Sequence, residues 1–251
     1  DHVNYYTNDD TVLKDISFHV EPGQTVGIIG ATGSGKSSLV NLICRFYDVN
    51  QGRVLVDDID VRNLNLQTLR GNIGIAMQDV FLFSDTIEGN IAYGNPDCTF
   101  EQVHAAAKIA NADEFIREMP EGYDTIIGER GVGLSGGQKQ RISLARAILK
   151  DPSIIILDDT TSAIDMETES MIQNELKKIS DERTVFIIAH RISSIIHADQ
   201  ILVLDNGRLV ERGTHEQLLA KKGYYSTVFH HQYGEFDRFK KVRAEKGRGE
   251  A

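Results

Sequence analysis

The residues that most constrain the fold of this chain are 30–37, which read Gly-Ala-Thr-Gly-Ser-Gly-Lys-Ser. They match the pattern G-x-x-x-x-G-K-[ST] and stand between an apolar segment at 25–29, which predicts a β-strand, and a segment at 37–46 whose apolar residues recur at helical spacing. Glycines in such a turn let successive backbone N–H groups point at one anion, and the helix N-terminus adds the positive end of its dipole. The sequence therefore predicts a phosphate-binding loop on a strand–turn–helix unit.

Individual residues of this loop have separate expected roles. Lys36 is expected to reach the β- and γ-phosphates of a nucleotide, and Ser37 offers its hydroxyl to Mg²⁺. A glycine-rich turn without a ligand is the alternative interpretation. Further residues predicted to line the phosphate cradle are Thr32, Gly33, Ser34, Gly35 and Ser38.

A second segment supplies an acidic residue for the same site. Residues 154–157 are Ile-Ile-Ile-Leu, typical of a buried strand, and Asp158 follows them directly. Alone this pattern is weak, but beside a phosphate-binding loop it predicts Asp158 as a Mg²⁺ ligand. The sequence holds no Asn-Lys-x-Asp segment, which a GTPase would need to recognise guanine.

Strand-like and helix-like segments alternate along most of the chain, which predicts an α/β fold with a mostly parallel sheet and helices on both faces. Strands at 16–20 and 53–61 predict an antiparallel β layer beside this P-loop NTPase core. The core and this layer are assigned to 1–83 and 146–233, and a helical subdomain to about 84–145. Residues 234–251 form a charged tail, for which a frayed helix or disorder is favoured over a functional basic arm.

Composition excludes several other classes of protein. The chain has 251 residues, 27 basic against 37 acidic, and a net charge of −10, which argues against nucleic acid as the main partner. Its two cysteines, Cys44 and Cys98, are too few for a disulfide scaffold or a zinc ribbon.

Residues 134–141, Leu-Ser-Gly-Gly-Gln-Lys-Gln-Arg, resemble the signature of the ATP-binding cassette (ABC) family. The resemblance extends over roughly residues 1–233 and implies an ABC ATPase fold with ATP and Mg²⁺ as ligands. It further implies an adenine-stacking aromatic at Tyr6, a Q-loop glutamine at Gln78 that also reaches the metal, a D-loop residue at Asp165 and a switch histidine at His190. Exporters are indicated by residues 78–91 and by Gly-Glu-Arg-Gly at 128–131.

In this family two cassettes pair head to tail, so the resemblance also implies a partner. Residues 134–141 then face the phosphate-binding loop of a second cassette, to which Ser135, Gly137 and Gln138 are lent. Transmembrane domains, expected upstream of this chain, dock on each cassette through coupling helices. The implied location is the cytoplasmic face of a membrane.

One residue departs from the family's pattern. Cassettes that hydrolyse ATP briskly carry Glu after the metal-binding Asp, whereas this chain has Asp159. The shorter side chain predicts a site that binds ATP but turns over slowly, with Asp159, His190 and Gln78 as the catalytic set. This favours a heterodimeric exporter over a homodimer, with the degenerate site on this chain.

Several alternatives stay open. Tyr5 rather than Tyr6 could be the exposed aromatic, His190 could be structural, and residues 81–83 could be simple core or a docking patch for a membrane domain. The chain could act as a nucleotide-gated dimerisation subunit without significant hydrolysis. A soluble ABC protein outside transport is a further alternative.

Overall fold

The computed structural model describes residues 1–7, 10–128, 131–180 and 183–234. Its strands are β1 (Val3–Thr7), β2 (Asp10–Ile16), β3 (Thr25–Gly30), β4 (Leu55–Val56), β5 (Ile59–Asp60), β6 (Ile73–Ala76), β7 (Asp85–Thr86), β8 (Ile126–Ile127), β9 (Ile154–Asp158), β10 (Thr184–Ile188), β11 (Gln200–Asp205) and β12 (Arg208–Gly213). Its α-helices are α1 (Lys36–Ile43), α2 (Leu66–Gly71), α3 (Ile87–Ala92), α4 (Phe100–Ile109), α5 (Asp113–Arg117), α6 (Gly136–Leu149), α7 (Met166–Ser180) and α8 (His215–Lys221). Residues 224–234 are also helical.

The central sheet has six strands in the order β12-β11-β3-β10-β9-β6. All neighbouring pairs are parallel except β11 and β12, which pair antiparallel at one edge. The inner strands are rich in Val and Ile and almost wholly buried, as expected for strands covered on both faces. The predicted parallel α/β core is therefore confirmed.

Antiparallel pairs lie beside this sheet, as the sequence predicts. β1 pairs with β2, and β4 pairs with β5. The strand expected at 16–20 is wrong, because β2 instead occupies Asp10–Ile16. Since β1 begins at Val3, opposite Ile16, the ladder has no further partner residues in β1 for 17–20.

Helices α3 to α6 form the part of the molecule between β6 and β9, where the sequence predicts a helical region. Their apolar faces share one buried cluster with β9, to which Ile91, Val103, Ile116 and Ile142 contribute fully buried side chains. The two-residue strands β7 and β8 also pair here, which the sequence did not predict. Across the described ranges, every helix is too short or too polar to cross a membrane.

Candidate nucleotide-binding site

The candidate site lies at the carboxyl ends of four neighbouring parallel strands. The glycine-rich loop follows β3, His190 follows β10, Asp158 ends β9 with Asp159 directly after it, and Gln78 follows β6. In a parallel sheet these ends meet at one edge, which is where ligands bind in open α/β folds. Segments separated by up to 160 residues are thereby brought to the same crevice.

The loop between β3 and α1 needs glycine at specific positions. Gly33 and Gly35 have φ angles of 79° and 99°, which ordinary side chains rarely adopt. A Cβ at Gly35 would also lie 2.7 Å from Leu13 Cδ2. The backbone can therefore curl tightly into the first turn of α1, which is the geometry that directs N–H groups towards an anion.

Lys36 is buried, and its ammonium group lies inside the loop. Its Nζ donates hydrogen bonds to the carbonyl oxygens of Gly30 at 2.8 Å and Ala31 at 2.9 Å. Burial lowers the pKa of this amine, while the carboxylates of Asp158 and Asp159 oppose that shift. The loop thus carries a preformed cationic group where phosphate charge is expected.

Two further observations fit a phosphate ligand. The Ser34 hydroxyl is buried inside the loop and has no hydrogen-bond partner among the described residues. Thr32 and Gly33 are exposed at its tip, so the cradle is open to solvent. An orphaned polar atom beneath an open loop is what an anion-binding cradle provides before its ligand is bound.

Asp158 and Ser37, which the sequence predicts as metal ligands, lie close together. The Ser37 side chain lies near enough to the Asp158 carboxylate to lower the pKa of that group. Burial raises the pKa of Asp158, and nearby Asp159 adds to the rise, whereas Ser37, Lys36 and His190 oppose it. Oxygen ligands on a partly buried carboxylate and a hydroxyl fit a hard cation such as Mg²⁺.

Asp159 is buried and firmly held through its backbone. Its N–H donates to Ile188 O at 2.9 Å, and its carbonyl accepts from Ser162 Oγ at 3.0 Å. The side chain faces Gln78, whose Nε2 lies 3.4 Å from Asp159 Oδ2. The Asp159 carboxylate therefore neighbours both the Gln78 amide and the Asp158 carboxylate.

The segment 134–138 begins helix α6 with a capping box. Ser135 Oγ accepts from the Gln138 backbone N–H, and the Gln138 side chain accepts from the Ser135 backbone N–H. Gly137 packs so closely on residues 162–164 that a Cβ there would lie 2.9 Å from Ala163 O. Ser135 is exposed at the helix N-terminus, where an anion from outside can reach it.

Asp165 has a structural role in this chain. Its Oδ1 accepts a hydrogen bond from Thr168 N at 2.9 Å, at the start of α7. These hydrogen bonds lower the pKa of Asp165. The residue is exposed, so helix capping and a contact with a second chain are compatible.

The exposed fractions of Tyr5 and Tyr6 show which of the two tyrosines is accessible to a stacking adenine. Tyr5 is 7% exposed and packs against Tyr47, while Tyr6 is 36% exposed and its N–H donates to Asn50 Oδ1 at 2.9 Å. Successive residues of a strand face opposite sides, so only one of the two can enter the core. Tyr6 is the tyrosine left available for stacking.

Sequence reasoning missed two residues that join the parts of the site. Gln140, on α6, donates from Nε2 to Ser162 Oγ at 3.2 Å and accepts from Ala163 N at 3.2 Å. Glu169, on α7, accepts from Thr161 Oγ1 at 2.9 Å and from Ser194 Oγ. Glu169 is 2% exposed. A buried carboxylate that accepts hydrogen bonds from two hydroxyl groups is part of a satisfied hydrogen-bond network.

Some sequence-predicted features lie outside the described residues. Glu129 and Arg130, from the segment before the signature, are among them, as are residues 235–251 of the predicted charged tail.

A phosphate-binding loop, an acidic strand end and a polar crevice together define a P-loop nucleotide-binding ATPase. A sequence profile of the ABC transporter family matches residues 13–162. The chain therefore belongs to the ABC transporter family, as an ATP-binding domain.

Individual relatives agree with this assignment. The chain is 55% identical over 221 residues to the uncharacterized ABC transporter ATP-binding protein YknU of Bacillus subtilis, covering 88% of this chain and 38% of that protein. It is 51% identical over 225 residues to the putative multidrug export ATP-binding/permease protein YgaD of Bacillus subtilis, covering 90% and 39%. It spans less than half of either relative.

A solved structure shows the same fold. A bacterial Atm1-family ABC exporter with ATP bound superimposes with a TM-score of 0.90 at 44% identity, covering 93% of this chain and 41% of that one.

Proposed function

We propose that this chain binds Mg-ATP and uses it to drive export across a membrane, as one cassette of a pair. The observation that carries the proposal is the convergence of the Lys36 loop, the Ser37–Asp158 pair and Gln78 at one sheet edge. Ser37, Asp158 and Gln78 would hold Mg²⁺, which would supply neutralisation of phosphate charge when bound. The relatives' printed names, which include multidrug export, support the transport role.

Hydrolysis needs a group that orients the attacking water and one that senses the γ-phosphate. We assign the first role to Asp159, which contacts Gln78, and the second to His190, which is exposed at the end of β10. Tyr6 is available to stack on adenine. ATP thus lies along the crevice from Tyr6, past Lys36, to Asp159 and His190.

We further propose that this site is the slow one of a heterodimer. Asp159 ends one methylene short of a glutamate, and a misplacement of about 1 Å costs about 100-fold in rate. The chain's own 134–138 segment is intact, with Ser135 exposed at the start of α6. Ser135, Gly137 and Gln138 then complete the partner's site, and Gly137 packs against Ala163 and Ile164, directly before the exposed Asp165.

An aromatic surface beside the crevice suits the transmembrane domain. Phe81 and Tyr93 are 49% and 62% exposed, and Phe83 contacts both rings. The buried Asn90 holds this loop by accepting from Phe83 N at 2.8 Å and donating to Phe83 O at 3.1 Å. An exposed apolar patch on a rigid support, directly after Gln78, favours docking of a coupling helix at the cytoplasmic face of a membrane.

A nucleotide-gated dimerisation subunit without significant turnover is the second candidate, and Asp159 is the observation that favours it. The two are separated by steady-state Mg-ATPase activity measured against protein concentration, with ATP binding measured in parallel. Turnover that rises with the square of concentration at low protein indicates hydrolysis by a homodimer of this chain. Tight ATP binding with negligible turnover supports the partner-completing subunit, and absence of ATP binding contradicts the whole proposal.

A further inference from the structure

The helix at 224–234 contacts the segment that carries His190. Gln232, on this helix, donates from Nε2 to the carbonyl oxygen of His190 at 2.7 Å. The same side-chain amide accepts from the Ile192 N–H at 2.8 Å through Oε1. One amide thereby brackets Arg191 with two backbone hydrogen bonds, so the conformation of 190–192 depends on where Gln232 lies.

Gln232 is itself fixed because its helix is anchored at the other end. Glu211, on β12, accepts from the backbone N–H groups of Tyr224 and Tyr225, the first residues of that helix. Tyr225 is fully buried, and its hydroxyl lies 2.8 Å from His215 Nδ1 on α8. The helix is therefore a rigid support rather than a loosely packed end.

The held segment links two parts of the nucleotide site. The His190 side chain is exposed, so its placement is set by its backbone. Arg191 donates to Ser162 O at 3.1 Å and to Ile164 O at 3.3 Å, which lie in the loop leading to Asp165. A shift of 190–192 thus moves both the histidine and the loop that follows Asp159.

We propose that Gln232 is a positioning residue that holds His190 at the γ-phosphate end of the site. The inference rests on the proposed function, since it gives His190 a role in turnover. Both hydrogen bonds described for the Gln232 side chain involve the backbone of residues 190–192. Gln232 therefore acts through His190. Its loss is expected to affect the chemical step and not ATP binding by Lys36.

The test compares four variants in the transporter that carries this chain, with the partner's own hydrolytic site inactivated so that kcat reports this chain's site: Gln232→Met, His190→Ala, their combination, and the control His231→Ala. Methionine keeps the length of Gln232 but removes its donor and acceptor, and His231 is an exposed neighbour on the same helix. A displacement of less than 1 Å predicts a loss of about tenfold in kcat for Gln232→Met, with KM and ATP affinity within about twofold of wild type. His231→Ala is expected to match wild type.

Two readouts distinguish positioning from a merely structural effect. If Gln232 acts through His190, adding Gln232→Met to His190→Ala causes no further loss. The His190 ring resonances, followed by NMR on adding Mg-ATP, are expected to respond in wild type and His231→Ala and to respond less in Gln232→Met. This second readout does not depend on fast turnover.

Three results overturn the inference: an unchanged kcat and ring response in Gln232→Met, an equal loss in both backgrounds, or a normal rate in His190→Ala. None of these results contradicts ATP binding by the Lys36 loop, so that part of the proposed function would stand. Unchanged ATP affinity in Lys36→Ala is the separate result that contradicts the nucleotide site.

Discussion

Lengthening the side chain at position 159 tests the proposed reason for slow turnover. The backbone of Asp159 is held by Ile188 O at 2.9 Å and Ser162 Oγ at 3.0 Å, so the extra methylene of Asp159→Glu extends the carboxylate outward. The gain in reach is about 1 Å, and restoring a distance of that size is expected to raise kcat by up to about 100-fold, or ~2.7 kcal/mol in barrier height.

The same substitution is expected to lower stability. Asp159 has a φ angle of 49°, a left-handed conformation that Asp tolerates better than Glu. The strain is on the order of 1 kcal/mol, which corresponds to a fall in Tm of about 2–4 °C for a chain of this size. A variant that is faster but less thermostable therefore distinguishes a longer reach from a general improvement in folding.

The assay is steady-state Mg-ATPase activity of the assembled transporter in which the partner's own hydrolytic site has been inactivated, so that the rate reports this chain's site, with Tm measured on the same samples. Asp159→Asn is the matched control, because it keeps the shape and removes the carboxylate. A rate for Asp159→Glu within twofold of wild type, with ATP affinity intact, refutes side-chain length as the limiting factor. A wild-type rate in Asp159→Asn refutes a role for the Asp159 carboxylate in activating water.

The remaining predictions concern ATP, the metal and the aromatic loop. Lys36→Ala removes a charged donor and is expected to weaken ATP binding at least about tenfold by calorimetric titration; equal affinity contradicts the assignment. Because burial raises the pKa of Asp158, its carboxylate protonates at a higher pH than an ordinary Asp, so the Mg²⁺-dependent part of ATP affinity is expected to fall as pH is lowered through that raised pKa. Affinity without Mg²⁺ is the control. A raised pKa also means that the contribution of Asp158 to stability is largest below the pKa of the unfolded state and is lost as pH rises through the pKa of the folded state. Asp158→Asn is therefore expected to raise the Tm of the nucleotide-free protein at neutral pH. A lower Tm for this variant contradicts the argument. Asn90 is fully buried and bonded to Phe83 N and O, so Asn90→Ala is expected to lower the free energy of unfolding by about 3 kcal/mol in urea titration; a loss below about 1 kcal/mol shows that water replaces its hydrogen bonds.

Much of the site could be predicted from the sequence because its signals are local. The loop 30–37 and the strand that ends at Asp158 each carry their chemistry within a few consecutive residues, and the periodicity of the flanking segments predicts β3, α1 and β9. Parallel pairing then forces the carboxyl ends of these strands to one edge. The strand at 16–20 was wrong because strand ends depend on the partner strand, and β1 begins only opposite Ile16.

What remained undecided depends on contacts between residues far apart in the chain. Tyr5 and Tyr6 are the same residue type in adjacent positions, and only their burial in the folded chain, 7% against 36% exposed, shows which of them enters the core. Gln140 and Gln232 are ordinary polar residues in the sequence, and their partners lie 22 and 42 residues away.

The sequence by itself determined the α/β core, the glycine-rich loop and the carboxylate at the end of β9, because short-range pattern and residue chemistry suffice for these. The tertiary structure alone decided which side chains hold the catalytic segments in place, since a hydrogen bond between distant segments leaves no periodic signal in the sequence.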